Sequence, residues 1–318
     1  MRVGIDVSPL VQTRAGTARY LEGLLVHNQY ERFSFGGESR LATVARDAYW
    51  YPLALPRAAR KRVDLLHCPT FRGPFASAVP VVVTVHDLAV LRHPGTFNLW
   101  TRRYSRLAVP RVVRAARLVI AVSEFTRREL VDLLHVPEER IRVIPNAVGA
   151  PFVPEGRAAE GDYVLAVGTL EPRKNLAAAQ QAAQRLGVEL RVVGAQGWGG
   201  VHIDGWLGRV TDERLAELYR GARCLVYPSL YEGFGIPVLE AMACGTPVVT
   251  SAGGATEEVA GGSAVLVDPL DVASIAEGLQ QAAARRDELA ARGLERARAF
   301  TWERVAAETR RVYEEAAA

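Results

Sequence analysis

Lysine is almost missing from this chain. Of its 39 basic residues only Lys61 and Lys174 are lysines, so a lysine in a loop that could meet phosphate is not a matter of composition alone. Cysteine is scarce too. Cys68, Cys224 and Cys244 are odd in number and far apart, which argues against a disulfide framework or a metal site and predicts reduced core thiols. No run of about 18 apolar residues occurs, so no transmembrane helix is expected. The opening Met1-Arg-Val-Gly-Ile-Asp6 reads directly as a strand and lacks the parts of a signal peptide, which predicts a cytoplasmic protein. Gly-x-Gly-x-x-Gly is missing, and with it the nicotinamide fingerprint. No Asp-x-Asp occurs to hold a divalent ion against phosphates, so metal independence is expected.

What is present suits a globular protein of one large or two ordinary domains: 318 residues, 49% apolar and 23% charged. The charge is uneven, +10 over residues 1–150 and −6 over 151–318. Basic clusters lie at Arg57, Arg60, Lys61 and Arg62, and from Arg102 to Arg117. They are either solvated helix faces or a surface for an acidic acceptor or an anionic membrane. No aromatic-interleaved basic motif accompanies them, so nucleic acid is not an expected partner.

The most informative stretch is Tyr227–Pro247, YPSLYEGFGIPVLEAMACGTP. It follows a short strand from Cys224 and has a glycine loop, Gly233-Phe234-Gly235. A helix begins near Pro237 and stops at Gly245-Thr-Pro247. A helix N-terminus after a glycine loop is an anion site. Glu232 and Glu240 frame it, and carboxylates there fit a ligand carrying hydroxyls as well as phosphate. Taken alone, two glutamates eight apart are as well explained by an exposed helix face.

EGFGIPVLE resembles the donor-site signature of the retaining glycosyltransferases of family 4. The resemblance implies an α/β, GT-B architecture: two Rossmann-like, doubly wound parallel-sheet domains facing an interdomain cleft. Expected are an acceptor-binding domain over 1–148, a donor-binding domain over 149–302, and a C-terminal helix at about 303–318 packing back on the first. By the same resemblance, Glu240 holds ribose hydroxyls and Glu232 sugar hydroxyls. The main chain of Gly233, Phe234 and Gly235 adds contacts, Val210 meets the base, and Gly16 borders the diphosphate. Arg173 and Lys174 would neutralise the leaving diphosphate in place of a metal, and His86 would meet the transferred sugar or the acceptor.

Alternating elements along the chain agree with parallel sheets. Strands are expected at 2–7, 63–67, 79–85, 118–122 and 141–144, and again at 163–167, 190–193, 224–227, 247–250 and 264–267. Leu41–Ala45 reads as a further strand, and 28–60 is otherwise hard to read. Thr13 falls in the loop after the first strand, a helix runs from Asn98 to Ala116, and Ser123 and Thr211 or Asp212 read as helix caps. Without the resemblance Gly16 is an ordinary turn glycine, and His86-Asp87 is either a polar turn or a ligand-binding histidine oriented by Asp87; Arg173-Lys174 could be a solvated turn, but the rarity of lysine and the strand-end position favour a functional pair. The expected reaction moves a sugar, mannose from GDP-mannose in the first instance, from a nucleotide-sugar donor to a glycan or lipid-linked acceptor in surface polysaccharide or glycoconjugate synthesis. The basic first domain would allow peripheral contact with the inner face of a membrane. A nucleotide-sugar epimerase and a non-catalytic sugar-nucleotide-binding protein are the alternatives.

Overall fold

Among the described residues, eleven parallel strands arranged in two sheets organise the chain. The computed structural model describes residues 1–12, 16–37, 39–97 and 99–318; Thr13 and Asn98 lie outside them. The chain divides into a first unit, Met1–Ala147 with Trp302–Ala318, and a second unit, Val148–Thr301.

In the first unit the strands are β1 (Val3–Asp6), β2 (Glu31–Phe33), β3 (Leu65–Cys68), β4 (Val81–Val85), β5 (Leu118–Ala121) and β6 (Ile141–Val143). Their order is β2-β1-β3-β4-β5-β6, with every pairing parallel. β4 is buried along its whole length, as a β-branched strand covered on both faces must be. One face packs against Tyr20, Leu21 and Leu24 of the helix Gly16–His27 and against Val305, Val312 and Tyr313 of the final helix Trp302–Ala317. The other packs against Tyr51, Leu55, Val109, Val112 and Leu130.

The segment expected to be hard to read departs most from the sequence reading. Leu41–Ala45 lies in a helix, Arg40–Ala45, continued by a π-helical turn, Arg46–Ala54, and a helix, Leu55–Ala59. Ser39 explains the helix, since its hydroxyl accepts from the Ala42 amide as an N-cap. That signal outweighs the short β-branched run. β2 was not foreseen, and Ser8–Gln12 forms a short helix where a loop was expected. Ser123 caps the helix Glu124–Leu134 as read, its hydroxyl taking the Thr126 amide at 2.9 Å. The arginines of the helix Leu99–Ala115, with Arg117 beyond it, are exposed.

The second unit has β7 (Tyr163–Val167), β8 (Glu189–Val193), β9 (Leu225–Tyr227), β10 (Val248–Ser251) and β11 (Val265–Val267), in the order β11-β10-β9-β7-β8 and again parallel. Thr211 caps the helix Asp212–Gly221. The loops leaving β7 and β8 touch so closely that a Cβ on Gly194 would sit 1.9 Å from the Gly168 carbonyl oxygen. The three cysteines are free and buried, and burial pushes the Cys224 thiol up to about 12.

The final helix is tied into the first unit by a polar contact as well as by packing. Tyr313 Oη lies 2.7 Å from His67 Nδ1, and Thr84 Oγ1 lies 2.8 Å from His67 Nε2. Burial lowers the His67 pKa to about 3, so the ring is neutral and both nitrogens have partners. Tyr313→Phe should therefore lower stability by about 1–3 kcal/mol, the usual effect of orphaning a buried polar atom. Denaturant unfolding followed by circular dichroism measures it; an unchanged midpoint would show that the hydroxyl contributes nothing.

Candidate active site

The second sheet reverses its order beside β7: the chain runs outward to β8, then returns to lay β9 on the other side. The loops leaving β7 and β9 therefore diverge, and such a switch point is where open parallel sheets bind ligands. After β7 come Glu171, then a 3₁₀ turn, Pro172–Lys174, and Asn175, whose left-handed backbone (φ 54°) starts the helix Leu176–Arg185. After β9 comes the loop to Gly235. The two loops are joined by the Leu230 amide on the Arg173 carbonyl (2.9 Å) and by Asn175 Nδ2 on the Pro228 carbonyl (3.2 Å).

This places Arg173, Lys174 and Glu232 in one cluster. Lys174 Nζ donates to Glu232 Oε1 at 2.5 Å, and Arg173 Nη1 donates to Oε2 at 3.1 Å. Tyr227 Oη donates to Oε1 at 2.9 Å. Arg173 further binds Glu171 Oε1 at 2.7 Å and the Tyr231 carbonyl at 2.6 Å. The four charged side chains are only 5–12% exposed. Burial alone would raise the Glu232 pKa, but Lys174 and then Arg173 outweigh it and hold it at about 2. Glu232 is thus a fixed anion at neutral pH. Glu171 and Tyr227 escaped the sequence reading. The signal available for Glu171 was its position two residues before Arg173 at a strand's carboxyl end.

From Glu232 the chain enters Gly233-Phe234-Gly235. Gly235 takes φ 106°, a left-handed conformation, and a Cβ there would approach Thr256 Cγ2 to 2.9 Å. Glycine is required on both counts. The helix Ile236–Ala243 follows with Pro237 in its first turn and no side chain capping it. Phe234 is buried beside Phe300, ring centroids 6.1 Å apart. Glu240 does not join the ion cluster. It is 1% exposed inside the helix, where Tyr219 Oη donates to it at 3.0 Å. Val210 is half-buried, directly before the cap Thr211.

Gly16 and His86 belong to the first unit. Gly16 opens its helix, and His86 follows β4. His86 Nε2 lies 2.9 Å from the Pro69 carbonyl oxygen, which can only accept, so Nε2 carries the proton. Burial lowers the pKa of this ring, leaving Nδ1 as a lone-pair acceptor. The sequence reading gave the orienting role to Asp87. The structure assigns it to Pro69, because Asp87 Oδ1 is taken by the Ala89 amide at 2.9 Å. Among the described residues no group of three or more His, Cys, Asp or Glu could hold a metal ion, and no helix is long and apolar enough to cross a membrane.

Two family models match the chain in sequence: Glycosyltransferase Family 4 over residues 2–150 and Glycosyl transferases group 1 over residues 152–300. The O-antigen chain mannosyltransferase B of Escherichia coli is 34% identical over 300 residues, 83% of this chain and 78% of that protein. The serotype-specific mannosyltransferase WbdA of the same organism is 29% identical over 70% of this chain, which spans 32% of WbdA's length. In structure, Anabaena HepE in complex with UDP-glucose superposes with a TM-score of 0.75 at 18% identity, covering 99% of each chain. Two parallel-sheet units, two adjoining family models and a mannosyltransferase relative spanning most of the sequence lead to one assignment: the chain belongs to the family 4 glycosyltransferases of GT-B architecture and is mannosyltransferase-like.

Proposed function

We propose that the chain transfers a hexose, mannose from GDP-mannose in the first instance, from a nucleotide-sugar donor to a glycan or lipid-linked acceptor with retention of anomeric configuration. The reaction would serve surface polysaccharide or glycoconjugate synthesis on the cytoplasmic side. The observation that carries this reading is the Arg173–Lys174–Glu232 cluster at the switch point, immediately before the glycine loop. As a glycosidic bond to a diphosphate breaks, charge grows on the distal phosphate. Fixed cations there lower the barrier without a metal. Lys174 is the better placed of the two. Arg173 spends its fork on Glu171, Glu232 and the Tyr231 carbonyl, while Lys174 Nζ has two partners, Glu232 and Tyr227, for three protons.

Glu232, ionised and held by both cations, cannot act as a general acid. It accepts from sugar hydroxyls and keeps Lys174 aimed. That agrees with a front-face course in which the leaving phosphate takes the acceptor's proton. Gly233, Phe234, Gly235, Glu240 and Val210 complete the donor site in this reading, and Gly16 borders the diphosphate. His86, neutral and accepting at Nδ1, would take a hydrogen bond from a sugar hydroxyl. The names of the curated relatives support mannose, and HepE's complex supports a nucleotide-sugar donor. The first unit offers a peripheral membrane surface: exposed Leu99, Trp100 and Leu107 interleave with exposed Arg102, Arg103 and Arg106 on one helix.

Thermal shift and donor hydrolysis across UDP-, GDP- and dTDP-sugars test the assignment. One donor should stabilise the chain and be turned over equally with EDTA; silence toward all of them sinks the transferase reading. Lys174→Met should lower kcat by about 10²–10³. Lys174→Arg should recover little of it, since a planar fork does not replace a compact ammonium. The acid limb follows from Glu232. Its folded pKa is depressed, so the stability it contributes is complete above about pH 4.5 and lost as pH falls through about 2. The stability gap between the parent and Glu232→Gln should therefore close over that interval, and a pH-independent gap would contradict the ion-pair account. Flotation with phosphatidylglycerol vesicles should capture the chain at low salt and release it at high salt; capture that ignores salt would exclude the arginine face.

A further inference from the structure

A lysine ammonium sits at the end of a flexible four-carbon stem and is harder to hold in place than a guanidinium. Arg173 is pinned through Glu171, Glu232 and the Tyr231 carbonyl. Lys174 is held differently. Its stem crosses the bare main chain of Gly168, where a Cβ would lie 3.2 Å from Lys174 Cγ and 3.3 Å from Cδ. Its Nζ donates to Glu232 Oε1 at 2.5 Å and to Tyr227 Oη at 3.0 Å. Tyr227 Oη in turn donates to the same Oε1 at 2.9 Å, which closes a triangle of hydrogen bonds.

The corners of that triangle differ in rigidity. Glu232 lies in a loop, and Lys174 ends a 3₁₀ turn. Tyr227 alone stands on a strand. It is in register with Thr250 of β10, and its carbonyl takes the Thr250 hydroxyl at 3.0 Å. Tyr227 is 3% exposed, and phenylalanine would fill the same space in the sheet. The hydroxyl is thus a buried polar atom that bonds to Lys174 and Glu232, as a buried hydroxyl must find partners. Burial, and then the Glu232 carboxylate, push the Tyr227 pKa well above the usual phenol value. The proton therefore stays in place, directed at Oε1, and the oxygen stays an acceptor for Nζ.

Two donated bonds stop the rotation of an ammonium, so the direction of its third N–H is set as well. Among the described residues nothing takes that third N–H. We propose that Tyr227 is a positioning residue for Lys174: its hydroxyl, anchored on β9, and the bare main chain of Gly168 together set the line along which the ammonium meets the departing phosphate. The departing phosphate belongs to the transferase reading; the hold on the ammonium is testable without turnover. Without the hydroxyl, Nζ keeps Glu232 but turns about that single contact. A cation free to turn must reorganise as charge grows, which slows the chemical step more than it weakens binding.

The near absence of lysine makes the test selective. In the full chain grown with isotope-labelled lysine, only Lys174 and the exposed Lys61 give side-chain NMR signals. The Hε protons of Lys174 should be resolved from each other, as in a fixed stem, while those of Lys61 coincide. In Tyr227→Phe, which keeps the ring, the Lys174 pair should collapse to the Lys61 pattern. In the same variant kcat should fall about tenfold with KM changed by less than about twofold, as for a contact that counts only in the transition state. Gly168→Ala, whose methyl presses the stem aside by a few tenths of an ångström, should give the same split between kcat and KM. In the Lys174→Met background Tyr227→Phe should cost nothing further, because it acts through the ammonium. A role in stability alone would lower the melting temperature and leave the Lys174 signals and kcat unchanged. That result, coincident Lys174 signals in the parent, or a loss that adds to that of Lys174→Met overturns the proposal. A parent that turns over no donor, yet loses its resolved Lys174 signals in Tyr227→Phe, loses the transferase reading alone. One that turns over a donor equally well without the hydroxyl loses this inference alone.

Discussion

Parallel strands cannot be joined by hairpins. Each must be followed by a crossover, so every loop that leaves a carboxyl end is committed to the same edge of the sheet. Where the strand order reverses, two such loops part and leave a crevice. Both sheets here have one reversal, beside β7 and beside β1. The ion cluster lies in the first of these crevices, and a cavity of about 180 Å³ lined by Thr17, Arg72 and Asp87 among others lies in the second. Site residues remote in sequence, such as Lys174 and Glu232 or Thr17 and Arg72, meet because topology leaves the chain no other arrangement.

The crevice beside β7 illustrates why burial and charge must be considered together. Four ionised side chains at 5–12% exposure would be strongly destabilising if unpaired. Their mutual contacts, with the Tyr227 hydroxyl and the Tyr231 carbonyl, satisfy them. Such a pair contributes little net stability compared with apolar packing. What it provides is an arrangement in which the cations are already oriented when charge arrives, so little reorganisation is left for the reacting step. The depressed Glu232 pKa and the short Lys174 contact are two signs of that same preorganisation.

Strand positions and the Ser123 and Thr211 caps were legible because β-branched runs and cap residues act locally. The ion cluster was half legible. Arg173, Lys174 and Glu232 each stood in a recognisable loop, but their pairing depends on how β7 and β9 are ordered, which no local pattern encodes. For that reason Glu171 and Tyr227 were missed. The segment 40–59 was illegible for a different cause. A π-helical turn has no sequence period of its own, so nothing local marks its inward residues Arg46, Asp47 and Tyr51 as buried. His86 was placed at the right strand end. Its orienting partner was a main-chain carbonyl, Pro69, which carries no side-chain signature.

The two crevices also explain the single lysine of the second unit. Arginine supplies nearly every cation of this chain, and its planar fork suits fixed partners, as at Arg173 and at Arg72. A group that must hold a carboxylate now and share itself with an arriving oxygen needs a compact charge with donors that turn. Lys174 has that form, with two partners for three protons and the Tyr227 ring beneath it at 5.3 Å. Charge content then differs between the two crevices: two cations converge on Glu232 beside β7, while Arg72 and Asp87 line the cavity beside β1. One topology thus yields two crevices of different charge content, one at each reversal of strand order.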